Sequence, residues 1–259
     1  MSDDHRFDQS IVRQYAAIYE VPKIAARRAY TMDLLNLQQG EHVLDIGFGP
    51  GYFAVELADR VGTTGSVDGI DFSDSMLGVA QVTCTGKAQV NLQVGDAKEL
   101  PYPDQHFDAA LAVQVYDYID DIPSALAELY RVLKPGGRAV IADIDWGTLI
   151  WQTQDEARGA KFKEVLYEHF AQPHMPRKLP TWLKATEFAV KKVESLVMLS
   201  TEVDPYVFGL SKIAGRFITG RHGITAEEVT AWEADLAQMN QDGTYFFSAN
   251  QYLFVLEKA

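Results

Sequence analysis

The chain has 259 residues, 36 acids against 23 bases for a formal net charge of −13, and 47% hydrophobic residues. That length and apolar content suit one sizeable domain, or one domain with a cap, and exclude wholesale disorder. The negative field repels nucleic acid and anionic membrane, so neither is expected as a partner.

The first 40 residues read as a helical preface. Residues 8–36 carry helical spacing broken at Pro22, with Ile11, Tyr15, Ile18 and Tyr19 on one face, and Gly40 ends the segment. Strands and helices then alternate. Strand 42–46 is an apolar run with Asp45 near its tip; helix 51–61 follows and stops at Gly62. Strand 66–71 leads through Ser73, a natural N-cap, into helix 74–84. Strands 90–94 and 107–115 follow. Helix 122–133 places Ile122, Leu126, Leu129 and Leu133 on one face, and Lys134-Pro135-Gly136-Gly137 ends it before strand 138–144. This alternation predicts an α/β fold with a doubly wound, mostly parallel sheet.

Beyond residue 146 the pattern changes. Helices are expected over 155–171, 180–188, 205–219 and 225–239, and strands over 190–199 and 245–256. A late strand, a helical insertion and a final strand predict an antiparallel pair closing the sheet edge. The basic pairs Arg27-Arg28 and Lys191-Lys192 read as solvated faces. The single cysteine, Cys84, forms no internal disulfide and reads as a half-buried helix-end residue. No apolar run reaches membrane-span length, and Met1-Ser2-Asp3-Asp4 does not read as a targeting signal, so a cytoplasmic protein is expected.

Four blocks carry chemistry. Gly47-Phe48-Gly49-Pro50-Gly51 lies at a strand-to-helix turn, where bare backbone can approach a ligand closely. Its spacing is G-x-G-x-G, and Tyr52 stands where the dinucleotide fingerprint has its third glycine, which points away from NAD toward a smaller adenosyl ligand. Asp71, 26 residues after Asp45, ends the second strand and can accept both hydroxyls of a ribose. Asp96, in Gly95-Asp96-Ala97 at the third strand's tip, can accept an adenine amine. The fourth block, Arg131 to Gly137, makes a tight return into the sheet. Each block alone has a bland reading as a surface turn or helix cap; their order and strand context set them apart.

Over residues 42–146 these blocks resemble the class I S-adenosylmethionine-dependent methyltransferases. The segment Val67 to Leu77 and the tail Trp232, Leu236 and Asp242 to Ser248 are most similar to the ubiquinone/menaquinone-biosynthesis-type small-molecule methyltransferases. The resemblance implies a seven-stranded Rossmann-like sheet, an N-terminal helical lid over 1–40, a cofactor-binding core over 41–146, and last strands plus a helical cap over 147–259. It implies S-adenosyl-L-methionine as cofactor and methyl transfer by in-line displacement to a small-molecule acceptor at carbon, nitrogen or oxygen. By the same resemblance Gly47, Gly49 and Gly51 pass under the methionine and ribose, with Asp45 counted beside them. Asp71 holds the ribose, Phe72 packs near the adenine, Asp96 and Ala97 address its edge, and Gln114 lies near the methionine end. Phe48 departs from the small residue usual there, so its side chain must point into apolar packing.

The acceptor side is less legible. A general base is needed only for a protonated oxygen, nitrogen or activated carbon. The candidates are Asp117, His169, His174 and Tyr15, and three have a structural alternative: a solvated loop tip for Asp117, a core or cap histidine for His169, a loop histidine for His174. Cap aromatics such as Trp146, Trp151, Tyr206 and Phe217 would suit an apolar acceptor or ordinary packing equally. Asp143 and Asp145 share a strand face, too thin a signal for a metal site, and none is expected. A fold-retaining, non-catalytic S-adenosylmethionine-binding protein, other adenosyl chemistry on the same fold, and an NAD dehydrogenase are the competing readings, and homo-oligomer formation stays open.

Overall fold

The computed structural model describes residues 18–259. The expected first helix, with Ile11 and Tyr15, lies largely outside the described residues. Helix α1 spans Pro22–Leu35, with Pro22 at its first turn, where a missing N–H is harmless. Strand β1 (His42–Ile46), helix α2 (Tyr52–Val61), strand β2 (Ser66–Asp71), helix α3 (Asp74–Thr83) and strands β3 (Val90–Val94) and β4 (Phe107–Val113) follow. A single 3-10 turn at Tyr116–Tyr118 leads to helix α4 (Ile122–Val132) and strand β5 (Leu133–Trp151). The rest is helix α5 (Glu156–Tyr167), helix α6 (Met175–Leu183), strand β6 (Phe188–Ser200), helices α7 (Pro205–Ile218) and α8 (Ala226–Gln241), and strand β7 (Phe247–Lys258).

All seven strands form one sheet in the order β3-β2-β1-β4-β5-β7-β6. The first five are mutually parallel, and β7 runs antiparallel between β5 and β6. The expected antiparallel pair is therefore present, inserted so that β7, not β6, meets the parallel strands. Fully buried strands explain the near-continuous apolar runs: Val43, Leu44 and Ile46 of β1 and Ala109 to Ala112 of β4 are all sealed from water. Helix α4 buries Ile122, Ala125, Leu126, Leu129 and Val132 on one face, and each large side chain there contributes about 2 kcal/mol on burial.

Three expectations need correction. Strand β4 ends at Val113 because Gln114 adopts φ +57°, a left-handed conformation that no strand continues through. Strand β5 begins at Leu133, which pairs with Phe107, and runs on to Trp151, its far half laddered to β7. The helix expected at 180–188 is α6, several residues earlier: Pro176 sits in its first turn and Pro180 inside it.

The basic pairs divide. Lys191 and Lys192 lie solvated on edge strand β6, as expected. Arg28 does not: it is buried, its guanidinium donating to Glu56 Oε1 from Nε at 3.0 Å and Nη2 at 2.8 Å, and to the Tyr19 carbonyl at 2.5 Å. It also lies over the rings of Tyr19 and Tyr52, which stack with centroids 5.5 Å apart. These contacts fasten the start of α1 to α2, directly beside the glycine turn. Cys84 caps the end of α3 and is buried against Gly51.

Candidate functional site

A continuous cleft of about 1000 Å³ runs along the carboxyl ends of the parallel strands, where open α/β sheets place their ligands. One end is walled by Asp71 and Phe72 after β2 and Asp96 and Ala97 after β3; the middle by Gly47, Gly49 and Gln114; the other end by Trp146, His169, Phe170, Tyr206 and Gln251.

The glycine turn is built by its own backbone and by β2. The Gly47 amide donates to the Ile70 carbonyl at 2.6 Å, and Gly51 N–H closes onto the Phe48 carbonyl at 2.9 Å. All three glycines have positive φ, at 72°, 50° and 87°. Their surroundings differ. A Cβ on Gly47 would collide with the Val115 side chain, and one on Gly51 would sit 3.0 Å from Ala80 Cβ and 3.2 Å from Cys84 Sγ. A Cβ on Gly49 would meet nothing closer than 4.0 Å, because that Cα faces the open cleft. Phe48 turns the other way and is buried with Met76 and Ala80, beneath Gly69 of β2. The side chain thus points into apolar packing as its sequence context required.

Asp71 is buried at the tip of β2 and accepts from the amides of Gly49 at 2.9 Å and Ser73 at 3.0 Å, one on each carboxylate oxygen. Burial raises its pKa, while the amides of Ser73, Gly49 and Phe72 pull it back. Phe72, more than half exposed, stands over the cleft mouth. Asp96 is exposed and accepts from the Lys98 amide at 2.8 Å. Asp45 and Gly51, in contrast, do not line the cleft. Asp45 lies sealed behind the turn, one carboxylate oxygen unpartnered, and burial together with the charge of Asp71 lifts its pKa to about 8.

Gln114 lines the cleft at the tip of β4. Its amide nitrogen faces Asp117 Oδ2 at 3.4 Å, and its buried Oε1 has no partner. Asp117 is not the solvated loop residue that its sequence position suggests. It is fully buried, accepts from Trp146 Nε1 at 3.0 Å and is electrostatically coupled to buried Asp143, which in turn accepts from the Val115 amide at 2.9 Å. Burial pushes both carboxyls above the usual carboxylate range; the charge of Asp117 raises Asp143 further, whereas Trp146 and Asp143 pull Asp117 back down. The pair lies under the cleft floor, outside its lining.

The other base candidates separate. His169 lines the cleft, edge-on to Tyr118, Phe170 and Phe217. His174 does not; it begins α6 and faces Asp145 Oδ1 at 3.1 Å, beside Arg177 on the other oxygen, so Asp145 clamps α6 to β5. Tyr15 lies outside the described residues. Among the described residues, no cluster of three or more His, Cys, Asp or Glu side chains could hold a metal. Among the cleft residues that the sequence reading did not place at the site are Arg27 and Thr31 on α1, and Gln251 on β7. Their shared face with Ile24 was legible in the helical spacing 24, 27, 31; Gln251 carries no local signal.

Residues 43–137 match a family described as a methyltransferase domain. The chain is 31% identical over 208 residues to the demethylmenaquinone methyltransferase of Bacillus licheniformis, a match that covers 78% of this chain and 83% of that protein. Among solved structures it is similar to phosphoethanolamine N-methyltransferase 2 from Haemonchus contortus in complex with phosphomonomethylethanolamine and S-adenosylhomocysteine, with a TM-score of 0.65 and 20% identity over 99% of this chain and 59% of that one. It is also similar to geranyl diphosphate C-methyltransferase from Streptomyces coelicolor, with a TM-score of 0.60 and 17% identity over 95% and 84% of the two chains. The chain therefore belongs to the class I S-adenosylmethionine-dependent methyltransferases of the menaquinone-biosynthesis type. It is an enzyme, its cofactor is S-adenosyl-L-methionine, and its reaction is methyl transfer.

Proposed function

We propose that this protein methylates an apolar, ring-bearing small molecule of the kind its demethylmenaquinone-methylating relative accepts, in the half of the cleft under the helical cap. The observation that carries the reading is the continuity of one cleft from the strand-tip acids to the aromatic wall. No second opening is needed to bring two ligands together. The enzyme would work in the cytoplasm.

The adenosyl half fits the cofactor on three counts. Gly49 exposes bare backbone where a side chain would fill the cleft. Asp71 keeps lone pairs beyond those its two amide donors occupy, and these would take the ribose hydroxyls. The unpartnered Gln114 Oε1 would accept from the ammonium of the methionine end. Gly47 would pass under the same portion, Phe72 would cover the adenine face, and Asp96 and Ala97 would address its edge. Asp45 and Gly51 act one step back, by packing the turn.

Bound there, the cofactor supplies a methyl on a sulfonium, already a reactive electrophile. The chain's own task is to align the acceptor in line with that methyl and to exclude water. Trp146 and Phe170, stacked with centroids 4.4 Å apart, and Tyr118 form an apolar wall for this purpose. Helix α1 and the cap helices α5 and α7 close the cleft from above, which is a lid's position. His169 is the one base candidate brought to this wall, and it would take a proton from an acceptor that must lose one.

The test is turnover. Purified protein with S-adenosylmethionine and a panel of naphthols, reduced quinones and small amines should yield products one methylene heavier from the ring compounds. Products from the amines alone would contradict the acceptor class.

A further inference from the structure

Three basic residues line the cleft, and two are neutralised. Arg28 is bonded to Glu56, and Lys98 to Asp120 at 2.8 Å with Asp96 at 3.8 Å. Arg27 has no carboxylate partner among the described residues. Its Nη2 donates to Gln251 Oε1 at 2.6 Å, its charge lies close enough to the Tyr206 hydroxyl to act on it, and its buried Nε–H meets nothing. Nearby Lys23 is already committed to Asp204 and Ser200.

An arginine left without a counter-charge in a partly buried cleft is costly in itself, the more so in a chain with 36 acids to choose from. Its surroundings hold it in place without neutralising it. Gln251 is almost fully buried, and its amide nitrogen is turned toward the Ala142 carbonyl at 3.5 Å, which leaves its oxygen for Arg27. Both neighbours are neutral, so the guanidinium keeps its charge and its remaining donors for something that enters the cleft.

The position says which ligand that is. Gln251 is on β7, and the sheet order from the glycine turn is β1-β4-β5-β7. With strands ~4.8 Å apart, the Arg27–Gln251 contact lies roughly 14 Å across the sheet from the turn, under the aromatic cap. We infer that Arg27, held by Gln251 beside Tyr206, binds an anionic oxygen of the acceptor, so that the natural substrate is a ring compound bearing a carboxylate or phenolate. This rests on the proposed assignment of that half of the cleft to the acceptor. The α-carboxylate of the cofactor offers the same chemistry, and the experiment separates the two.

The probes are 2-naphthoate and its uncharged isostere 2-naphthamide, titrated calorimetrically into protein saturated with S-adenosylhomocysteine. The wild type should bind the carboxylate at least about tenfold more tightly, the scale of a charge-assisted hydrogen bond. Arg27→Gln should erase that preference and leave the affinity for S-adenosylhomocysteine unchanged, which also certifies the fold of the variant. Equal affinity of the wild type for the two probes overturns the inference. So does an Arg27→Gln variant that loses S-adenosylhomocysteine affinity and keeps the preference, since Arg27 would then serve the cofactor. If the wild type itself fails to bind S-adenosylhomocysteine, the reading of the whole cleft has failed, an outcome visible before either probe is added.

Discussion

The Gly49 amide donates to Asp71 Oδ2 at 2.9 Å, so the tip of β2 holds the middle of the turn that follows β1. One carboxylate therefore shapes the glycine turn and faces the cleft beside it. Asp71→Ala is expected to weaken S-adenosylhomocysteine binding by roughly a hundredfold, the loss of two charge-assisted contacts with partial loss of turn geometry. Asp71→Asn, which keeps one acceptor, should fall between. Equilibrium dialysis on variants with unchanged circular dichroism checks this, and wild-type affinity in Asp71→Ala would remove the residue from the site.

The three glycines should fail in different ways. Gly47→Ala and Gly51→Ala push a methyl into Val115 or into Ala80 and Cys84, in addition to the ~1 kcal/mol of left-handed strain common to all three. Their main effect should be a lowered Tm. Gly49→Val carries the strain but projects into open cleft, so its main effect should be lost cofactor affinity. Thermal melts and binding measured side by side decide it; a Gly49→Val protein that melts early yet binds normally would contradict the assignment.

Asp45 gives the fold a pH dependence. Its carboxyl is lifted from the usual 3.8 to about 8, burial first and Asp71 second. The folded state therefore holds a proton that the unfolded chain releases. The stability this proton provides is full below the unfolded value and is lost as pH rises through the folded one. Asp45→Asn removes the titration, so it should stabilise the protein near pH 7 by on the order of 3 kcal/mol and change little near pH 4. Denaturant midpoints across that range test the slope. A constant difference between variant and wild type would show that Asp45 is ionised in the folded protein.

Trp146 reports on the acid pair beneath the floor. Its indole donates to Asp117, whose burial raises its pKa to about 7. The emission difference between wild type and Trp146→Phe should titrate in the neutral range, and Asp117→Asn should flatten it. A midpoint near pH 4 would mean that the pair is solvated.

Much of this was legible before any coordinate. β1, β2 and β3 have the bounds read from the sequence: β1 is an apolar run, and β2 and β3 set Val, Ile or Leu among polar residues between turn segments. Ser73 caps α3 as its spacing required, accepting from the Met76 amide at 3.3 Å. The errors fall where tertiary contacts decide. Nothing about a glutamine announces the positive φ that stops β4 at Gln114. The far half of β5 exists because β7 pairs with it, about 100 residues away in sequence. Two prolines hid α6, although Pro176 sits where a helix tolerates one. Arg28 read as a surface charge because its partners, Glu56 and two tyrosine rings, come from other segments. Asp117 read as a loop acid because a short 3-10 turn buries what a simple loop would have exposed.

The central claim is that one cleft along the strand tips takes the adenosyl cofactor at the glycine turn. Calorimetric titration of the purified protein with S-adenosylhomocysteine, with NAD as control, tests it most directly. The account predicts saturable binding of one S-adenosylhomocysteine per chain, abolished in Gly49→Val, and no heat from NAD. Binding of NAD in its place, or S-adenosylhomocysteine binding untouched by Gly49→Val, would contradict it.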